Sequence, residues 1–127
     1  MFRSVGVFDY RDNYSLRILV DPQIVDYYRA LMPKWIKINK QMYDPHISVV
    51  RKEIPPDLTA WGRYQGEEVE FFYDNIIHNG TVYYWLNAYC TRAEEVRLEL
   101  GLPLSSEYTR PPDTFEKVFH VTIGNLK

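Results

Sequence analysis

The chain has 127 residues, of which 46% are hydrophobic, 16% aromatic and 25% charged. That is one domain with room for a hydrophobic core that needs no disulfide, and it excludes an intrinsically disordered chain. Fifteen Lys and Arg nearly balance seventeen Asp and Glu, for a net charge of −2. The basic excess with which proteins grip long duplex DNA or RNA is therefore missing, whereas a small nucleotide in a locally positive pocket remains compatible. The single cysteine, Cys90, permits neither an internal disulfide nor a cysteine zinc site and suits a reducing compartment. The opening MFRSVGVFDYRD lacks the apolar core of a signal peptide, and no apolar run approaches bilayer-spanning length. A soluble cytoplasmic protein with no membrane partner is the expectation.

In chain order, Ser15–Val20 (SLRILV) reads as a short buried strand. Asp21-Pro22 starts a helix, as N-cap and first helical position. Ile24, Val25, Tyr28, Leu31 and Met32 fall on one face of that helix, and Pro33 ends it. Lys34–Asp44 is basic and irregular. Pro45–Arg51 (PHISVVR) is a strand, broken by Pro55-Pro56. Glu67–Tyr73 alternates as a strand does, and His78-Asn79-Gly80 is read as the turn before the strand Thr81–Cys90. Thr91 and Glu94 have the spacing of a capping box. Ala93, Val96, Leu100 and the Arg97 stem line the inner face of the helix that follows, which Gly101 closes. Leu102–Lys117 is a long loop, of a length that tends to serve function. Phe119–Gly124 is the last strand.

Each half thus runs strand, capped helix, proline-containing loop, and a strand with one histidine. The expected fold is α+β and bilobal: two pseudo-symmetric lobes of antiparallel sheet plus helix around a central cleft, interleaved over roughly 1–55 and 65–127 of a single domain. Such symmetry would bring the two histidine strands side by side. An α+β domain without internal symmetry is the plainer alternative.

Two of the three histidines stand in matching contexts, His46-Ile47-Ser48-Val49 and His120-Val121-Thr122-Ile123. On a strand the side chains alternate, so Ile47, Val49, Val121 and Ile123 point to the core. His46 with Ser48, and His120 with Thr122, share the opposite face, each pair about 6.5–7 Å apart along its strand. Two such strands together make a rectangle of two imidazoles and two hydroxyls. Phosphoryl transfer needs one proton removed from the attacking oxygen and one given to the leaving oxygen, and two imidazoles do both near neutral pH. The hydroxyls donate to the non-bridging oxygens as they gain charge. The arrangement calls for no metal and no cofactor.

PHISV and FHVTI resemble the paired His-x-Ser/Thr signatures of the 2H phosphoesterase superfamily. That group includes bacterial and archaeal cyclic phosphodiesterases, tRNA-processing cyclic phosphodiesterases, and phage enzymes that destroy cyclic oligonucleotide immune signals. The resemblance implies a bilobal α+β fold with both motifs on a central cleft. It implies His46 and His120 as general base and acid, and Ser48 and Thr122 as phosphate ligands. The chain is shorter than most members, which makes a compact phage-type enzyme of immune evasion one candidate. The implied activity is metal-independent cleavage of a phosphodiester in a small, cyclic or short oligonucleotide. Processing of 2′,3′-cyclic phosphate or 2′-5′ RNA ends is an alternative. A nucleotide-binding module without turnover and an inert structural protein are the remaining readings.

Secondary candidates lie in the loops before the motifs. Tyr108 and Arg110 in the long loop are placed to stack on a base and hold a phosphate. Tyr43 and Trp35 occupy the equivalent loop of the first half, and Tyr14 reaches towards the cleft mouth from the chain start. Strand parity turns Arg51 away from the hydroxyl face, as a solvated strand end, and gives Lys52 the matching parity. His78 is read as a turn residue, and Trp61, Tyr83 and Trp85 as core or sheet surface.

Overall fold

A computed structural model describes residues 1–111 and 118–127. The end of the long loop, including Pro112-Asp113, lies outside the described residues. Nine elements follow in order: β1 (Phe2–Arg11), β2 (Ser15–Leu19), α1 (Pro22–Ala30), β3 (His46–Val50), β4 (Glu68–Tyr73), β5 (His78–Asn79), β6 (Tyr83–Tyr89), α2 (Thr91–Glu99) and β7 (Phe119–Asn125). The fold is α+β. All pairings are antiparallel, and β1-β2-β3-β7-β6-β4 closes on itself as a six-stranded barrel through the β1–β4 and β4–β6 pairings.

The expected elements form for the reasons their residues supply. Asp21 caps α1 by accepting from the Gln23 N–H at 2.9 Å, with Pro22 at the first helical position. Val25 and Tyr28 of α1 are buried, while Leu31, expected on the same face, is the C-cap and is exposed. On α2, Ala93, Val96, Arg97 and Leu100 are buried as the spacing predicts. Its end is a Schellman closure: Gly101 stands at φ +76°, the Gly101 N–H donates to Leu98 O, and the Leu102 N–H to Arg97 O. The core joins Phe8, Leu16, Ile18, Ile47, Phe71, Leu86, Val121 and Ile123 of the strands to Val25, Tyr28, Ala93, Val96 and Leu100.

Three local expectations are corrected. The N-cap of α2 is Cys90, not Thr91: Cys90 is still extended (φ −144°, ψ 99°) and its Sγ accepts from the Ala93 N–H at 3.4 Å. Glu94 therefore sits one position too late for a capping box. His78 and Asn79 are not the turn. They pair with Trp85 and Tyr84 as the short strand β5, and the chain reverses after them, where the Gly80 N–H donates to Tyr83 O. His78 is held by Asp74 (Nε2···Oδ2 2.9 Å) and stacks on Trp85. The ten-residue β1, absent from the expected elements, is the longest strand described and supplies the β1–β4 closure.

The two halves repeat one connectivity. β1 pairs with β2 and β2 with β3, with α1 between β2 and β3. In the same way β4 pairs with β6 and β6 with β7, with α2 between β6 and β7. The two third strands, β3 and β7, then pair with each other at Ile47 and Val121. Among the described residues no helix is long and apolar enough to cross a membrane.

Candidate active site

The β3–β7 pairing decides the geometry. With Ile47 opposite Val121, antiparallel register sets His46 opposite Thr122 and Ser48 opposite His120. The imidazoles thus take one diagonal of the rectangle and the hydroxyls the other. Opposed Cβ atoms on such a ladder are about 4.5–5.5 Å apart and diagonal neighbours about 7–8 Å. Ile47, Val49, Val121 and Ile123 are buried, and all four polar side chains line a cavity of about 470 Å³.

Both imidazoles are oriented by backbone. His46 Nδ1 lies 2.7 Å from Asp44 O, and His120 Nδ1 lies 3.1 Å from Thr109 O. A carbonyl only accepts, so each Nδ1 carries the hydrogen and each Nε2 is left for proton exchange. Both rings titrate below the ordinary imidazole value. For His46, burial is the main cause, reinforced by the charges of Arg17 and Arg51 and opposed by the Asp44 carbonyl. For His120, burial again leads, with the charges of His46 and Arg51 adding to it, and its pKa is pushed down to about 4.

Each hydroxyl is followed by a β-bulge. Between β2 and β3 the partners step from Arg17↔Ser48 to Leu16↔Val50, which leaves Val49 unopposed. Between β6 and β7 they step from Trp85↔Thr122 to Tyr84↔Gly124, which leaves Ile123 unopposed. A bulge shifts the parity of everything beyond it. Val49 and Val50 are accordingly both fully buried, and Arg51 returns to the face of His46 and Ser48 and lines the cavity. This corrects its expected place as a solvated strand end. Lys52 instead turns through φ +56° and lays its Nζ over the Tyr108 ring at 5.6 Å. At Gly124 the chain segment before β3 crosses so closely that a Cβ would stand 2.1 Å from Ile38 Cγ2 and 2.8 Å from Asn39 O.

Sequence reasoning passed over a second cation. Arg17, opposite Ser48 on β2, lines the cavity with its side chain only 13% exposed. Its Nη2 donates to Asp9 at 3.2 Å, while its buried Nε has no hydrogen-bond partner among the described residues. Arg11 is the first of the groups that hold the Asp9 carboxyl below its ordinary value, helped by Gln65 and Arg17. The available signal was a lone charge inside the apolar run SLRILV. For Arg51 it was the break in alternation at Val49-Val50.

Of the loop candidates, Tyr43 lines the cavity, together with Gln41, which accepts from Asn125. Tyr83, read as core or sheet surface, also lines it. Trp35, Tyr14, Tyr108 and Arg110 lie outside that lining. Trp35 is 84% exposed, Tyr14 packs edge-on against Trp61, and Arg110 Nε reaches Ser105 Oγ at 3.4 Å. No three His, Cys, Asp or Glu side chains converge as a metal site among the described residues. Comparison of the chain with protein-family models, with curated proteins and with solved structures finds no match.

Proposed function

We propose that the protein is a metal-independent phosphodiesterase that cleaves a nucleotide phosphodiester by general acid–base catalysis between His46 and His120, on a 2H-like bilobal arrangement. The observation that carries this reading is the diagonal of two imidazoles, each with Nδ1 tied to a carbonyl and Nε2 left for exchange, between two hydroxyls and two guanidinium groups.

His120, the more depressed ring, takes the proton of the entering oxygen on Nε2 as that oxygen bonds to phosphorus. His46, protonated, returns a proton from Nε2 to the oxygen whose bond to phosphorus breaks. The Nδ1–H bonds persist in both protonation states, so neither ring turns during the transfer. Ser48, Thr122, Arg17 and Arg51 donate to the non-bridging oxygens, and the unpaired Arg17 Nε–H gains an acceptor there. The bound anion also favours the imidazolium that the acid role requires. In the reverse direction the two roles exchange. The cavity volume falls within the roughly 300–1,000 Å³ of small-molecule sites, which favours a short or cyclic oligonucleotide over a long duplex.

The test is turnover in EDTA of 2′,3′-cyclic AMP, of 2′-5′ and 3′-5′ dinucleotides, and of cyclic di- and trinucleotides. Either His46→Ala or His120→Ala is expected to lower the rate about 10²–10⁴-fold while substrate still binds. A folded parent that cleaves none of the panel would overturn the reading, and binding without cleavage would assign the cleft to nucleotide capture.

A further inference from the structure

Among the described residues, the largest fully buried side chain is a charged one that does not line the cavity. Arg97, on the inner face of α2, is 0% exposed. Its Nε donates to Pro103 O at 2.7 Å, Nη1 to Val49 O at 2.7 Å and to Glu53 Oε2 at 2.9 Å, and Nη2 to Glu53 Oε1 at 2.9 Å. Val49 is the residue that the first bulge leaves unopposed, and Arg97 gives its carbonyl a donor in place of the missing ladder partner.

Glu53 extends the junction in both directions. Its Oε2 accepts from the Arg51 N–H at 3.5 Å, and it accepts from the Ser106 side chain. Burial alone would raise its carboxyl, but the Arg97 guanidinium holds it below its ordinary value. Ser106 in turn builds the turn whose Thr109 carbonyl meets His120. Its Oγ accepts from the Tyr108 N–H at 3.2 Å and its carbonyl from the Thr109 N–H at 3.2 Å. Thr109, itself 0% exposed, presents the carbonyl that holds His120 Nδ1. A continuous path therefore runs from the bulge that aims Arg51, through Arg97 and Glu53, to the carbonyl that orients His120.

We propose that Arg97 and Glu53 are positioning residues, a buried junction that sets the two arms of the cavity together. A pair that only filled the core would serve as well if it were apolar. This one spends its donors on backbone carbonyls that shape the site. The inference rests on the reading of His46 and His120 as a working pair.

The test is an NMR titration of both imidazoles in Ser106→Ala and Glu53→Gln, beside Val96→Ala. The last variant opens the same helix face without cutting the path. In both junction variants the His120 midpoint is expected to rise by about one unit or more, as the ring loosens from its buried seat towards water. Neither substitution removes the charges of His46 and Arg51 that act on His120. Loss of the Glu53 charge alone would lower the midpoint, so a rise reports repositioning. His46, held by Asp44, is expected to stay in place in all three variants, and Val96→Ala to lose Tm without moving either ring. Ser106→Ala removes one hydroxyl from a half-buried loop and keeps the test open if Glu53→Gln fails to fold. An unchanged His120 in the folded junction variants, or an equal rise in Val96→Ala, overturns the proposal. The titration needs no substrate, so a flat result leaves the turnover test intact, and a parent without turnover removes the catalytic meaning of the junction without changing what the titration reads.

Discussion

His46 and His120 share a motif and a backbone-held Nδ1, yet their surroundings separate them. Two guanidinium groups face His46, while the corresponding positions of the second half, Trp85 and Asn125, carry no charge. His120 is lowered to about 4, mainly by burial, and His46 is lowered by burial and then by Arg17 and Arg51. If His120 is the base and His46 the acid, kcat/KM reports their free-protein values. The pH profile is then a bell with its acid limb near pH 4 and its optimum below pH 6.5. A rate still rising above pH 7 would contradict that assignment. The same shift acts on folding. The unfolded chain takes up a proton at His120 near pH 6.5 and the folded one only near 4. Stability is therefore complete above pH 6.5, falls as the pH drops between those values, and levels below them. Urea midpoints at pH 7 and pH 5, compared with those of His120→Gln, measure that slope. Arg17→Gln removes a charge-assisted donor worth about 1.5–3 kcal/mol. It is expected to lower kcat/KM about 10- to 100-fold, while Asp9 keeps Arg11 and Gln65.

Among the elements, the bulged strands do the placing. A regular β3 would have turned Arg51 away from Ser48, as a strict period of two predicts, and one unopposed residue reverses that outcome. The second bulge puts Gly124 where the Ile38–Asn39 backbone crosses β7, a site with no room for a side chain. Helix α2 shows a smaller displacement of the same kind, its start set one residue earlier than Thr91-Glu94 suggested. Cys90→Ala is expected to cost about 1 kcal/mol of cap in addition to lost packing. Thr91→Ala should stay within about 0.5 kcal/mol. Urea denaturation of the two variants distinguishes the caps, and a costlier Thr91→Ala would restore the capping box.

Over the whole molecule, the barrel brings together pieces far apart in the chain, and the Arg97–Glu53 pair ties the end of β3 to α2 and the loop that follows it. Breaking such a pair by removing one partner strands a buried charge. Arg97→Met is expected to cost about 3–5 kcal/mol, and Arg97→Met with Glu53→Leu to recover part of it. Calorimetric Tm values of the single and double variants measure the coupling, and additive losses would count against it.

Local pattern suffices for the α+β character, most of the strands, both helices and the two His-x-Ser/Thr faces. Each of these depends on a local period of 2 or 3.6 residues or on a cap within a few positions. The tertiary structure alone decided which strands close the barrel, that His46 lies across from Thr122, and that Arg17 and Arg51 join the cavity. It also decided that Trp35, Tyr14, Tyr108 and Arg110 stand outside the lining. β1 is not legible in the sequence because its alternation is interrupted by Gly6 and by polar residues, and its place is fixed by β2 and β4 rather than by its own pattern. The bulges follow the same rule: the doubled Val49-Val50 hints at the first, but which residue goes unopposed is defined by the partner strand, and register between strands is a non-local property.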